Sequence, residues 1–451
     1  MMSLGEMATY IPVTGAFTAY ATRFCDPSLG FAMGWIYWFS WAMTFALELT
    51  ATGLIIQYWA PELSIAIFIS VFLVVITAIN LMPVKFYGEF EFWFSMVKVL
   101  TVVGFIIFAI CIDLGAGPKR DRIGFRYWKE PGAFATYLVD GAVGKFVGFW
   151  AVLIQAGFSY QGTELVGIAA GETENPRKNV PAAIRKTFYR ILFFFVVTIF
   201  CIGLLVPSND PDLLTDASDA TASPFVIAAK RAGVPVLPGL INAILLFVVL
   251  SAANSNVYSG SRILLGLAND HCAPRFLKKT TKGGVPIPAV LCTAAMGLLA
   301  YLNLSNGGGK VFNWFLNITA VAGFITWTCI SGSHIAFMRA LAARGIDRDT
   351  LPYKALGQPW FAWYGFCFNI LIILTQGFTS FLPWDVTSFF ISYISVILFV
   401  VLYVGHKLIT RSKFVKAEEA DITTGCIADD ETNWSITSPT TKWGKFCDHI
   451  C

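Results

Sequence analysis

The chain has 451 residues, of which 56% are hydrophobic and only 13% charged, with 40 phenylalanines and a formal charge of +4. Soluble domains carry about 25% charged residues, so a string of soluble domains is excluded. The positive excess sits in connections between apolar runs and marks no nucleic-acid surface, and ten cysteines scattered through those runs and the tail form no disulfide framework.

The first thirty residues, opening "MMSLGEMATYIPVTGAFTAYATRF", lack the basic and apolar regions of a signal peptide and read as the remnant of a preceding helix followed by a connection. Residues 31–405 then hold ten stretches long enough to cross a bilayer, whose core of about 30 Å needs roughly 20 helical residues. They lie near 31–60, 64–82, 91–113, 147–170, 190–207, 237–260, 286–304, 311–338, 361–381 and 385–405. Runs such as "ILFFFVVTIFCIGLLV" are apolar on every side, which suits helices and excludes alternating barrel strands. The fold class is therefore all-α, a polytopic membrane protein. Residues 406–451 read as a disordered tail, acidic and then rich in Ser and Thr.

Alternate connections divide the Lys and Arg residues twenty against nine. The richer side is expected to be cytoplasmic and to include the C-terminus. The basic stretch "GPKRDRIGFRYWK" falls on the other side, in a loop of more than thirty residues, and long loops translocate largely regardless of charge.

Charges inside spans cost about 2.5–3.5 kcal/mol each and need a reason. Glu48 lies mid-span in "WAMTFALELTATGLII", among small residues, and reads either as an interhelical hydrogen bond or as a substrate or proton site. Lys98 lies two turns into its span, either snorkelling to the interface or buried between helices. Glu164 follows Gly162 in "AGFSYQGTELVGIAAGETENPRK". Glycine there serves either close packing or a helix broken at Phe158 to Gly162, near the midplane, where freed carbonyls and helix ends bind small solutes. Ser251, Asn254, Ser255 and Tyr258 follow the i, i+3, i+4, i+7 rule of one helix face, and Asn313, Asn317 and Thr319 bring polarity to another span. Such faces look into the protein or a cavity, either as packing or as a polar path. Arg177 and Arg262 mark helix ends, with Glu172, Glu174 and Asp270 near enough in sequence for a gate of ion pairs. His271, His334, His406 and His449 form no metal-ligand spacing, and no phosphate loop occurs, so neither enzyme chemistry nor a cofactor is expected.

Six stretches, "SLGEMATYIPVTGAF", "FALELTATGLIIQYW", "FSYQGTELVGIAAGETENPRKNVPAAI", "SAANSNVYSGSRILLGLA", "KKTTKGGVPIPAV" and "FLNITAVAGF", resemble fungal amino acid permeases of the amino acid/polyamine/organocation superfamily, from Ser3 to about Phe414. "IGLLVPSNDPDLL" and "RGIDRDTLPYKA" narrow the likeness to plasma-membrane permeases for arginine and lysine. The resemblance implies a LeuT-like inverted-repeat transporter of twelve helices, of which the ten stretches match the third to the twelfth, and so a chain truncated at its N-terminus. It implies an amino acid bound between the first and sixth helices, with Phe158, Ser159 and Tyr160 matching the unwound part of the sixth. Lys98 matches a lysine that stands in for sodium in proton-coupled relatives. Glu48 and Glu164, with Gly162, become candidates for substrate amine contact or proton handling, Asn317 and Thr319 for side-chain selectivity, and Asn254 for the polar lining. Proton symport of cationic amino acids through membrane lipid is the expected activity; the competing readings are a nutrient sensor and a non-transporting truncated product.

Overall fold

The computed structural model describes every residue except 14, 83, 119, 169–175, 215–222, 307 and 427–451. Its helices run α1 Met2–Tyr10, α2 Ala16–Phe24, α3 Pro27–Gln57, α4 Ile65–Asn80, α5 Val84–Asp113, α6 Gly141–Ala151, α7 Leu153–Phe158, α8 Leu165–Ile168 and α9 Pro176–Leu205. They continue as α10 Pro211–Leu214, α11 Pro224–Ala232, α12 Leu237–Asn269, α13 Ile287–Ala295, α14 Asn303–Asn306, α15 Gly308–Ala343, α16 Trp360–Thr375 and α17 Val386–Thr410. The polar connections set these boundaries. Asp26 starts α3 by accepting from the Ser28 N–H at 2.8 Å, with Pro27 at the first helical position, and Asp385 caps α17 by accepting from the Thr387 and Ser388 N–H groups.

Among the described residues nine helical stretches are long and apolar enough to cross a membrane. Nine of the ten expected spans thus overlap such a stretch. The tenth, expected at 64–82, is α4, whose 16 residues rise only about 24 Å and fall short of the bilayer core.

The helix α3 is the axis of the bundle, packed chiefly against α12, α15 and α17. Its inward residues Tyr37, Phe45, Leu47 and Leu49 are fully buried, and so are Leu4, Met7, Phe17 and Tyr20 of α1 and α2. The first thirty residues therefore form two short helices that belong to the core rather than a loose connection. The outer helices present their apolar side chains outward, as Trp93, Leu100 and Ile107 do on α5 and Val400 and Val401 on α17. In water such a belt would be costly; against lipid it is at home.

The tail departs from the expected disorder as far as Cys426. Residues 406–410 complete α17, and the chain then crosses the end of the bundle. The Val415 N–H donates to the Cys25 carbonyl at 2.8 Å, Arg344 to the Ala420 carbonyl at 2.6 Å and Arg23 to the Thr424 carbonyl at 2.6 Å. Ala420 and Ile422 are buried in the main core cluster. Residues 427–451 lie outside the described residues.

At the same end α1 is tied to the connection between α15 and α16. The Glu6 carboxylate is fully buried, accepts from Arg348 through both oxygens at 2.9 Å and from the Ala355 N–H at 2.9 Å, and lies 3.5 Å from His334 Nε2. Burial works against its charge, yet His334, Arg348 and the Ala355 N–H hold its carboxyl down to about 2.

Candidate functional site

The interruption expected in the sixth family helix is present. Helix α7 stops at Phe158, residues 159–164 form turns, and α8 restarts at Leu165. Gly162 takes φ +88°, a left-handed conformation in which a side chain is strained, and the Trp41 ring lies 3.5 Å from where a Cβ would stand. One turn earlier a Cβ on Gly157 would fall 2.3 Å from the Phe324 ring, so glycine there lets α7 lie against α15.

Side chains from α3 and α15 hold the break open. Glu164 is 3% exposed; one of its oxygens accepts from the Gly162 N–H at 3.1 Å and the other from Trp327 Nε1 at 3.1 Å. Gln161 Nε2 donates to Ser40 Oγ, which donates in turn to the Thr319 carbonyl at 3.4 Å. The Tyr160 ring packs 5.1 Å from that of Phe195 on α9. The carbonyls of Ser159, Tyr160 and Gln161 accept nothing from the described backbone. Three further polar atoms beside the break, Tyr37 Oη, Trp41 Nε1 and Gln161 Oε1, are buried and make no well-aligned hydrogen bond among the described residues, with Tyr37 facing Trp41 and Glu164. Buried polar atoms are normally satisfied, so this cluster suits a polar ligand. A cavity of about 460 Å³ opens beside it, with Tyr160, Thr163, Glu164, Trp327, Tyr364 and Asn369 in its wall. That volume lies within the roughly 300–1,000 Å³ of small-molecule sites.

A second polar group lies farther along α3. Glu48 is eight residues beyond Ser40, about 12 Å along the helix axis. Lys98 on α5 reaches Glu48 with its charge, and its Nζ lies 3.4 Å from the Glu91 carboxylate. The face of α12 read from the sequence points inward here: Ser255 donates to Glu91 at 3.1 Å and Ser251 at 3.4 Å. Asn254 does not join the break, because its side-chain oxygen accepts from Asn80 Nδ2 of α4 at 2.8 Å.

The structure thus brings Phe158, Ser159, Tyr160, Gly162, Glu164 and Thr319 together, and sets Glu48, Lys98 and Asn254 apart in the second group. The Thr319 hydroxyl is fully buried and donates to the carbonyls of its own helix, so the residue meets the break through its backbone. Asn317 is half-buried on α15, two residues away. Arg262 stacks on the Tyr258 ring, 3.2 Å from its centroid, and donates to the Tyr258 carbonyl at 3.0 Å. The side chain of Arg177 and residues Glu172 and Glu174 lie outside those described. Sequence reasoning missed Tyr37, Ser40, Trp41, Trp327 and Glu91. Tyrosine and tryptophan in a span carry a polar handle that must end somewhere, and Glu91 stands two helical turns before Lys98.

A family model described as amino acid permease matches residues 1–419. This chain belongs to the amino acid permease family. The permease is 47% identical to the "Basic amino-acid permease" of Saccharomyces cerevisiae over 450 residues, which cover 99% of this chain and 78% of that one. It is 47% identical to the "Lysine/arginine permease" of Candida albicans over 459 residues, 99% of this chain and 80% of the relative. It is also 45% identical to the "Proline-specific permease" of Emericella nidulans over 434 residues, 94% of this chain and 79% of the relative. The broken helix, the inward polar faces and the apolar outer belt are accordingly those of a multi-pass amino acid transporter, not of an enzyme.

Proposed function

We propose that this permease carries cationic amino acids, arginine and lysine, into the cell together with protons, across a fungal plasma membrane and with its C-terminus in the cytoplasm. The observation that carries the reading is Glu164. Both its oxygens accept from neutral N–H donors, which suits an ionised carboxylate, in a place that is 3% exposed. A buried carboxylate without a counter-charge costs several kcal/mol; the Met1 ammonium reaches Glu164 with its charge from the wall of the same cavity, and a positively charged ligand suits that place. The carbonyls of Ser159, Tyr160 and Gln161, which accept from no described backbone N–H, suit an ammonium group, and the polar atoms of Tyr37, Trp41 and Gln161 beside them suit its carboxylate and side chain. Phe158 and Gly162 shape the break, Asn317 and Thr319 flank it on α15, and Glu48 and Lys98 are the charged groups through which transport is coupled to protons.

The relatives named for basic amino acids agree with a cationic substrate, and the excess of Lys and Arg on the side of the connection that follows α17 agrees with a cytoplasmic C-terminus. The test is radiolabelled arginine uptake by the full-length protein, expressed from its own gene in a fungal cell that lacks basic amino acid uptake. Accumulation that lysine competes away and a protonophore abolishes is expected. Delivery to the cell surface without arginine uptake, or uptake indifferent to the protonophore, overturns the reading.

A further inference from the structure

Glu91 lies in the apolar helix α5, two turns before Lys98. The spacing i, i+7 places both on one face of α5, and lysine side chains on a helix lean toward its N-terminus, so Nζ reaches back to 3.4 Å from Glu91 Oε1. Ser95 Oγ, between them on that face, also donates to Oε1 at 3.4 Å. The other oxygen, Oε2, meets Ser255 at 3.1 Å and Ser251 at 3.4 Å from α12. A hydroxyl both donates and accepts. The same serines can therefore donate to a carboxylate or accept from a carboxylic acid, and the site is satisfied in either protonation state.

Lys98 thereby contacts one carboxylate, Glu91 on its own α5, and its charge reaches a second, Glu48 on the central α3, beyond ion-pair distance. Among the described side chains, the other ionisable groups on the neighbouring helices are Tyr258 and Arg262 of α12 and Arg185, Lys186, Tyr189, Arg190 and Cys201 of α9, with Tyr37 on α3; α4 brings none. Among the described side chains of these elements, Glu91 and Glu48 are the carboxylates nearest the ammonium in charge reach.

We propose that Glu91 is a proton-binding, positioning residue for Lys98: ionised, it holds the ammonium on the α12 side; protonated, it releases it to Glu48. The proton that arrives adds to a Glu91 oxygen, an O–H bond forms, and the acid then donates to Ser251 or Ser255. Lys98 keeps its own proton throughout and changes only its partner. Since α3 also carries Ser40, which holds Gln161 at the break, the change of partner acts on the helix that supports the substrate cavity. This inference rests on the proton-coupled reading above.

The experiment compares arginine uptake at external pH 5 and pH 7 with arginine–arginine exchange, which needs no net proton movement, in the full-length protein and three variants. Glu91→Gln resembles the protonated acid at every pH. Its ratio of uptake at the two pH values is expected to fall to near one, and gradient-driven accumulation to drop at least about tenfold, while exchange stays within about twofold. Glu91→Asp keeps the titrating group and is expected to restore the pH ratio. Should Glu91→Gln not reach the membrane, the Ser251→Ala, Ser255→Ala double variant tests the same site and is expected to lose at least half of the pH ratio. Uptake and exchange that fall together at both pH values, or a pH ratio equal to that of the unaltered protein in the variant that reaches the membrane, overturn the role of Glu91. No pH dependence in the unaltered protein overturns proton coupling itself, and this inference with it.

Discussion

Replacing Glu164 by glutamine separates its two jobs. The carboxylate accepts from Gly162 N–H and from Trp327 Nε1–H, one through each oxygen. A carboxamide keeps one acceptor and turns an NH2 group toward the other donor, so one N–H is left facing a donor inside the protein. Losing a bond to a charged acceptor costs about 1.5–3 kcal/mol, and the buried unsatisfied N–H a further amount of about 1–3 kcal/mol. The sum of about 2.5–6 kcal/mol is roughly two to four orders of magnitude at about 1.4 kcal/mol per tenfold. That sum weakens the break with or without substrate; the part read as affinity is the lost charge toward a cation, about 1.5–3 kcal/mol, so half-saturation for arginine should rise roughly ten- to a hundredfold, and Glu164→Asp, which keeps the charge on a shorter stem, should fall between. Uptake is measured over a range of arginine concentrations, normalised to protein at the cell surface and compared with uptake of a neutral amino acid. An unchanged half-saturation refutes the role of Glu164. An equal loss for neutral and cationic substrates refutes charge recognition and leaves Glu164 as a brace for the break.

Other substitutions test the supports of the site. Gly157→Ala places a methyl 2.3 Å from Phe324 and should destabilise the protein by about 1–3 kcal/mol; the Phe324→Ala background should relieve most of that loss in a thermal unfolding measurement in detergent. Arg348→Ala leaves the fully buried Glu6 carboxylate with only His334 and one backbone N–H, and should cost about 3–5 kcal/mol. The Glu6 carboxyl is held at about 2 in the fold, below its ordinary 4.5, so the stability it contributes is complete above pH 4.5 and is lost as pH falls toward 2. In Glu6→Gln that acid-sensitive loss should be absent from the melting profile between those pH values. Ile422→Ala empties a fully buried position where the tail crosses α1 and α2 and should lower stability by about 2–5 kcal/mol, an effect that a mobile tail would not show.

What the sequence made legible follows from what is local. Apolar runs of fixed length announce the spans, and a glycine followed by a carboxylate in such a run announces the break at Phe158 to Gly162. The face of α12 from Ser251 to Tyr258 could be predicted to point inward, because a polar stripe toward lipid is costly. Partners across the bundle could not. Trp327 meets Glu164 across 163 positions of sequence and Gln161 meets Ser40 across 121, and no periodicity carries such pairings. For the same reason Asn254 read as part of the substrate path, whereas the fold gives its side chain to Asn80. The expected span at 64–82 runs two residues past α4, because hydropathy continues into Leu81 and Met82 after the helix has ended at Asn80. The tail was read as disordered from its polar composition alone, yet two apolar residues, Ala420 and Ile422, are enough to seat it when arginines at 23 and 344 supply donors to its carbonyls.

The central claim is that the broken helix around Gly162 and Glu164 binds a cationic amino acid whose movement is tied to protons. Purified full-length protein in proteoliposomes, acidic outside and loaded with neither substrate nor sodium, puts it to the most direct test. Radiolabelled arginine should accumulate above its external concentration while the pH gradient lasts, and collapse of the gradient should release it. Arginine that only equilibrates, at the same rate with and without the gradient, contradicts the account.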